Sequence, residues 1–454
     1  MSSVTDQETD LLEQGQQTLQ MALSAGADEA EVAIAHGAGS DVEFEKNDIQ
    51  VALSSEESII GVRVFKGGRC GFASTNDVDA LRSIVNDALS VASASEPHDA
   101  NGLPESQVPT PIEGLYDEST SLLGVGEVTD MGAALLEAVR VRDPRVMIDS
   151  GGVGASTTTR ALVNSLGLSL SESRTSVGAS LFGMAVEDGT PGSFVVEGMG
   201  RTRLDGFDES LHAIANRFAT KSIGALHPGQ GKSFLGSVLL SPESVNSFVV
   251  SNLLTLMNAA TIRKGKSLLK DRLGEVVASP LLSITDDATL PNRVTSSAFD
   301  REGVPKQRLP LIEEGVFQSV FYNHFEATVA EITTGSTGHA AGSVATVPSV
   351  GCNALEIAAG STPLKDLLAA ETPCILVERF SGSVNPVTGA FSGVVKGGYL
   401  LENGERRPVG ETLIAGELLD LVQSIQAVSI ERQDVFGRAL TPWLLCDGIS
   451  VTGG

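Results

Sequence analysis

The sequence predicts an α+β protein: two helix–strands–helix units in pseudo-duplicated tandem, followed by a mainly antiparallel β C-terminal domain. Three observations carry this. Up to about residue 220, one order of helical and alternating segments is written twice. A stretch rich in Ser, Pro, Glu and Asp, Ser93 to Glu118, separates the copies. Beyond Lys232, short apolar runs punctuated by Gly and Pro replace the long ones. The expected boundaries are 1–95, a linker or excursion over 96–120, then 121–226 and 227–454.

In the first copy, Thr9 to Ala25 has helical spacing, with Leu11, Leu12, Leu19 and Leu23 on one face and Gly26 as its C-terminal stop. Strands are expected over Glu31–Ala35, Val42–Leu53 and Ile59–Phe72, the last interrupted by the turn signal Gly67-Gly68. Val78, Leu81, Ile84, Val85 and Leu89 then mark a helix over Asp77–Ala92. The second copy repeats the order. It has a helix over Met131–Val141, strands over Val146–Ser156, Thr158–Val163, Leu168–Met184 and Ser193–Arg203, and a helix over Leu211–Ile223. In the third region Phe234–Leu240 is a strand, and Ser241-Pro242-Glu243 starts a helix well: a capping hydroxyl, a proline at the first position and an acid toward the dipole. Short strands follow, among them Leu281–Thr285, Val316–Tyr322, Cys374–Phe380, Phe391–Leu401 and Leu444–Val451, with a late helix over Glu417–Ile425.

Composition excludes several functions. The formal charge of −26 repels phosphate backbones, so no nucleic-acid partner is expected. No segment approaches the roughly 18 uninterrupted apolar residues of a membrane helix, so no membrane partner is expected either. The acidic, polar start Met1–Asp6 is unlike a secretory signal, and a cytoplasmic location is expected. Acidic excess with only ten lysines points to a protein that works in concentrated salt, as in a halophilic archaeon. Cys70, Cys352, Cys374 and Cys446 are scattered and are expected as free thiols.

Three constellations are candidates for chemistry. His324 and Glu326, two residues apart after a strand, would share one side of an extended chain as weak metal or polar-cavity candidates. Ser336, Thr337, Gly338 and His339 form a hydroxyl-rich, Gly-punctuated loop suited to cradling an anion or a peptide carboxylate. A serine nucleophile there lacks an obvious acid to orient His339. Asn385-Pro386-Val387-Thr388-Gly389-Ala390-Phe391-Ser392 closes a turn before a strand, and Asn385, Thr388, Gly389 and Ser392 could bond the main chain of a peptide or merely fix the turn. Gly229-Gln-Gly231-Lys232-Ser233 lacks the spacing of a phosphate loop, and Gly151-Gly-Val-Gly154 is followed by a strand-like stretch where a dinucleotide loop needs a helix.

The order Arg263-Lys264-Gly265, Asp300-Arg-Glu-Gly303, Ser336-Thr-Gly338, Asn385-Pro-Val-Thr-Gly389 and Glu402-Asn-Gly404 resembles the TldD/PmbA family, linked to metal-dependent peptide hydrolysis. Active members carry His-Glu-x-x-x-His on a helix shortly before the Arg-Lys-Gly segment. Counting back places Val250 and Thr255 at the two histidines, and from Ser244 to Gly274 there is no His, Glu or Cys. Cys446 lies nearer the end than the family's ligand cysteine and is not carried over. The resemblance therefore implies a PmbA (TldE)-like subunit with no catalytic residue and no metal or other cofactor of its own. Its implied partner is a TldD-like chain that holds zinc, in a heterodimer acting on short or unfolded peptides. Two other readings stay open: an independent hydrolase centred near His324 and His339, or a non-catalytic regulator binding a protein. Whether the chain forms a homodimer in the absence of its partner also stays open.

Overall fold

The computed structural model describes residues 4–352 and 354–454. Helix α1 (Val4–Ser24) leads into two long strands, β1 (Glu29–Glu45) and β2 (Asp48–Lys66), then β3 (Arg69–Thr75) and α2 (Leu81–Ala94). The expected strand Val42–Leu53 is in fact cut by a two-residue turn. Lys46 (φ 52°) and Asn47 (φ 67°) both take the left-handed conformation that matches the twist of a hairpin. After the excursion come a short turn α3 (Glu118–Ser121), α4 (Val125–Arg142), β4 (Val146–Asn164), β5 (Ser169–Glu187), the two-residue β6 (Thr190–Pro191), β7 (Val195–Arg201) and α5 (Phe207–Gly224). The expected break at Ser156–Thr158 does not occur, and β4 runs through it.

The two units share one antiparallel sheet of seven strands. It is ordered β3-β2-β1-β4-β5-β6, with β7 also on β5. The seam is β1 against β4, paired from Glu31↔Asn164 to Glu45↔Ser150. One face is covered by helices. Leu11, Leu19 and Ala22 of α1 and Ile84, Val85 and Ala88 of α2 pack on Ile34, Ile60 and Val62. Leu135 and Val139 of α4 and Phe207, Leu211 and Phe218 of α5 pack on Val153, Val177 and Leu181. Alternation then points Ser156, Thr158, Ser176, Gly178 and Ser180 the other way.

The C-terminal domain is built on a 13-stranded, mainly antiparallel sheet. Its long strand Ala439–Gly453 pairs with β8 (Phe234–Leu240), Leu355–Ile357, Thr412–Glu417 and Ile425–Val435. Two of its pairings are parallel: Leu355–Ile357 with Ala439–Gly453, and Cys374–Val377 with β8. Ser241 caps the next helix as expected, its Oγ accepting from the Ser244 N–H at 3.3 Å. That helix widens into a π segment over Val245–Val250 before α geometry resumes over Ser251–Met257. Phe248, Val249, Val250, Leu253 and Met257 anchor it in the domain core. Among the described residues no helix is long and apolar enough to cross a membrane.

The domains meet through a buried ionic cluster. Arg63 of β2 donates to Glu31 and Glu302 at 2.8 Å each, and Arg301 donates to Glu31 at 3.0 Å. The motif Asp300-Arg-Glu-Gly303 is thus a plug between the sheet and the C-terminal domain. Asp300 braces it, accepting from the main chain of Glu302, Val304 and Ala340. Burial and the neighbouring Glu302 carboxylate push the Asp300 carboxyl up to about 6.

Candidate functional site

Between the helix-free face of the seven-stranded sheet and the C-terminal domain runs a groove. It consists of two cavities of about 870 and 750 Å³ that share Ser156, Ser176, Gly178, Asn246, Phe436 and Arg438. Its floor is β4 and β5, where small residues stand at alternate positions: Gly152, Gly154, Ser156 and Thr158 on one strand, Ser176, Gly178 and Ser180 on the other. Such a floor lets another chain approach at backbone distance and offers hydroxyls to meet it.

The opposite wall comes from two elements. One is the π segment, which contributes Asn246. The other is the tip Phe436-Gly437 of the hairpin joining Ile425–Val435 to Ala439–Gly453. Phe436 holds φ 56°, unusual for an aromatic residue, and Gly437 holds φ 72°. The tip presses on β7: a Cβ on Gly198 would lie 2.3 Å from the Phe436 ring, and one on Gly437 would lie 2.5 Å from the Gly200 carbonyl. Only glycine fits at either position, and the strained tip is fixed by that contact. Arg438 follows it into the groove.

Zinc needs three or four N, S or carboxylate donors around one point. The π-segment helix brings Asn246 to the groove, buries Val250 in the core and turns Thr255 to solvent. It does not fit that metal. A separate set of donor atoms, on Asp286, His339 and Cys352, lies within a mutual 4.8 Å at the groove's inner end, where Cys352 is part of the lining. Asp286 and His339 are engaged with one another and with the main chain. His339 Nε2 bonds Asp286 at 3.0 Å, and Asp286 accepts from the Ala354 N–H at 2.8 Å. Burial works to raise the Asp286 carboxyl, but the His339 hydrogen bond and charge hold it below its ordinary range. Burial pushes the Cys352 thiol well up.

His339 is therefore oriented by an acid, Asp286, which lies 53 positions away, with no local pattern to pair the two. The Ser336 hydroxyl does not join them. It donates to the Tyr322 carbonyl, while Thr337 bonds both Tyr322 and the His339 ring. Gly338 lies against the Pro305 carbonyl. This loop sits behind the groove and is not part of its lining.

His324 and Glu326 are not on an extended chain. Asn323 caps a short helix, His324–Val329, by accepting from the Glu326 N–H, so the expected shared side is lost. Glu326 forms a two-bond ion pair with Arg263 at 2.7 and 2.9 Å, which accounts for the Arg of Arg263-Lys264-Gly265. Burial lowers the His324 imidazole, and its main-chain N–H donates to Glu302. Asn385, Thr388 and Gly389 form the tip of the hairpin Arg379–Val384/Ala390–Lys396. The Asn385 side-chain Oδ1 accepts from the N–H groups of Val387 and Thr388, and the Thr388 hydroxyl accepts from the Ala390 N–H. Ser392 is exposed on the second strand. None of the four lines the groove.

Sequence comparison matches three models of one family in chain order: PmbA/TldA metallopeptidase domain 1 over residues 30–92, its central domain over 121–226 and its C-terminal domain over 235–453. A metalloprotease PmbA homolog of Haemophilus influenzae is 27% identical, covering 98% of this chain and 97% of its own. A metalloprotease TldD homolog of the same organism is 32% identical over 37% of this chain and 35% of its own. The crystal structure of TldE from Thermococcus kodakarensis superposes with a TM-score of 0.88 at 21% identity, covering 97% of this chain and 100% of that one.

Proposed function

The chain belongs to the PmbA/TldD family of metallopeptidases, and on that premise we propose that it is the family's metal-free, PmbA (TldE)-type subunit. It would work beside a zinc-bearing TldD-like partner on short or unfolded peptides. One observation carries this reading: the helix placed where active members bear their ligands presents Asn246 to the groove and no His, Glu or Cys. Zinc, held by the partner, would polarise the peptide carbonyl and activate water. This chain's share would be to bind and orient. The Gly- and Ser-lined floor accommodates an extended peptide. Ser156, Ser176 and Asn246 supply donors and acceptors for its main chain, and Phe436 shields one side from water.

The test is to express the chain alone and together with a TldD-like chain from the same genome, then to measure zinc content and peptide hydrolysis in both. The lone chain is expected to be zinc-free and inert, and the pair zinc-loaded and active. Stoichiometric zinc in the lone chain, or peptide hydrolysis by it, overturns the proposal.

A further inference from the structure

On the far side of the Phe436-Gly437 tip lies a separate cavity of about 930 Å³. Its chemistry is unlike that of the rest of this acidic molecule. Five of the chain's 21 arginines line it, Arg201, Arg203, Arg217, Arg293 and Arg432, against two aspartates, Asp205 and Asp434. Three of the five have carboxylate partners: Arg203 with Asp205, Arg217 with Glu197 and Arg293 with Glu356. The other two have none among the described residues. Arg201 donates to the Asp205 carbonyl at 2.8 Å and Arg432 to the Ile357 carbonyl at 3.3 Å. Each guanidinium has five N–H donors, so most of theirs remain available.

The backbone around the cavity is equally distinctive. Successive residues of a strand point to opposite faces, so a cavity that touches four in a row, 198 to 201, meets β7 along its edge, and it continues past the strand's end to Arg203. Among the described residues β7 pairs with no strand but β5, and its other edge is touched by the hairpin tip at Gly200 and has no strand beside it. The same holds across the cavity. Residues 432 to 434 are consecutive, and their strand, Ile425–Val435, pairs along one edge with Ala439–Gly453 and on the other, among the described residues, only through a bridge from Ser429 to Thr362, short of the cavity. Two strand edges with no strand beside them at the cavity therefore flank a cationic space, with Trp443 as an apolar surface in its wall.

We propose that this cavity binds an acidic peptide segment in extended form. The main chain of that segment would pair with the strand edge exposed to the cavity, beside Arg432–Asp434 or beyond the tip on β7, and its carboxylates would meet Arg201 and Arg432. Lone arginines could serve any anion, but two strand edges facing each other favour a peptide backbone over a compact ion. The site is distinct from the groove and does not depend on the subunit reading, because the chain alone carries all of it.

The experiment uses the full chain and a fluorescent, end-blocked peptide of alternating Glu and Val, followed by anisotropy at the lowest salt that keeps the protein folded. Three probes are compared with it: the Lys-for-Glu peptide, the acidic peptide N-methylated on alternate residues, and inorganic pyrophosphate as competitor. The acidic peptide is expected to bind, the basic one not, and N-methylation to weaken binding at least about tenfold. The double variant R201Q/R432Q should weaken it by a similar factor, while R438Q, in the neighbouring groove, should not. If the double variant fails to fold, R432Q alone serves the same comparison. Absence of acidic-peptide binding overturns the proposal. So does equal binding of the N-methylated peptide with full competition by pyrophosphate, which would mark a simple anion site. Sensitivity to R438Q without sensitivity to R201Q/R432Q overturns it too, by placing the peptide in the groove.

Discussion

Arg63 shows how much a single side chain holds here. It sits between Glu31 and Glu302, all three side chains no more than 6% exposed. Burial works against its charge, yet the two carboxylates keep it firmly ionised. Replacing Arg63 by Met would leave Glu31 with Arg301 but take from Glu302 its ion-pair partner. An uncompensated buried carboxylate of this kind costs about 3–5 kcal/mol. Denaturant unfolding of R63M should show a loss of that size, partly recovered in R63M/E302Q, where the stranded charge is gone. A loss under about 1 kcal/mol in R63M would mean that the cluster contributes little to joining the domains.

At the scale of elements, the helix that begins at Ser241 combines a legible start with an illegible middle. Its cap, proline and acid are written in order, but nothing in Val245–Val250 announces π geometry. The acid, Glu243, has a measurable consequence. Burial, opposed by Lys221 and Arg379, pushes its carboxyl up to about 7 from an ordinary 4.5. The folded state therefore holds this proton more tightly than the unfolded chain does. The stabilisation is complete below pH 4.5 and is lost as pH rises through about 7. Allowing for its partial exposure, the effect is on the order of 1–2 kcal/mol. Stability profiles of the native chain and E243Q should diverge across that window, and parallel profiles would contradict the shift. Other elements were legible in the same uneven way. The helices and long strands of both copies followed their apolar periodicity. The turn at Lys46-Asn47 lacked a glycine to mark it, and the seam of β1 on β4 joins residues more than a hundred positions apart. The candidate site was harder still. Its residues are Gly, Ser and Asn, which carry no chemical signature, and in the sequence the hairpin tip is marked by one glycine, Gly437, after the apolar pair Val435-Phe436. The motifs that did stand out proved to be braces: Asn385 in its turn, Arg263 on Glu326, and Asp300 to Glu302 between domains.

For the whole molecule, the arrangement of charge matters more than its total. Arg63 and Arg301 are buried with Glu31 and Glu302, and five arginines gather at one cavity, in a molecule whose acids far outnumber its bases. With a formal charge of −26, the folded state carries self-repulsion that salt relieves, since the screening length falls from about 10 Å at 0.1 M to about 3 Å at 1 M. The buried cluster is shielded from this effect. Thermal unfolding across a series of NaCl concentrations should therefore show a midpoint that climbs steeply with salt. The slope should be nearly unchanged in R63M, whose midpoint is lower throughout. Reversing two exposed acids, Glu57→Lys and Glu105→Lys, should shallow the slope by lowering net charge without touching a buried contact. A midpoint that stays flat with salt in the native chain would mean that its acidic exterior does not limit stability, and would remove the physical basis for expecting a protein suited to concentrated salt.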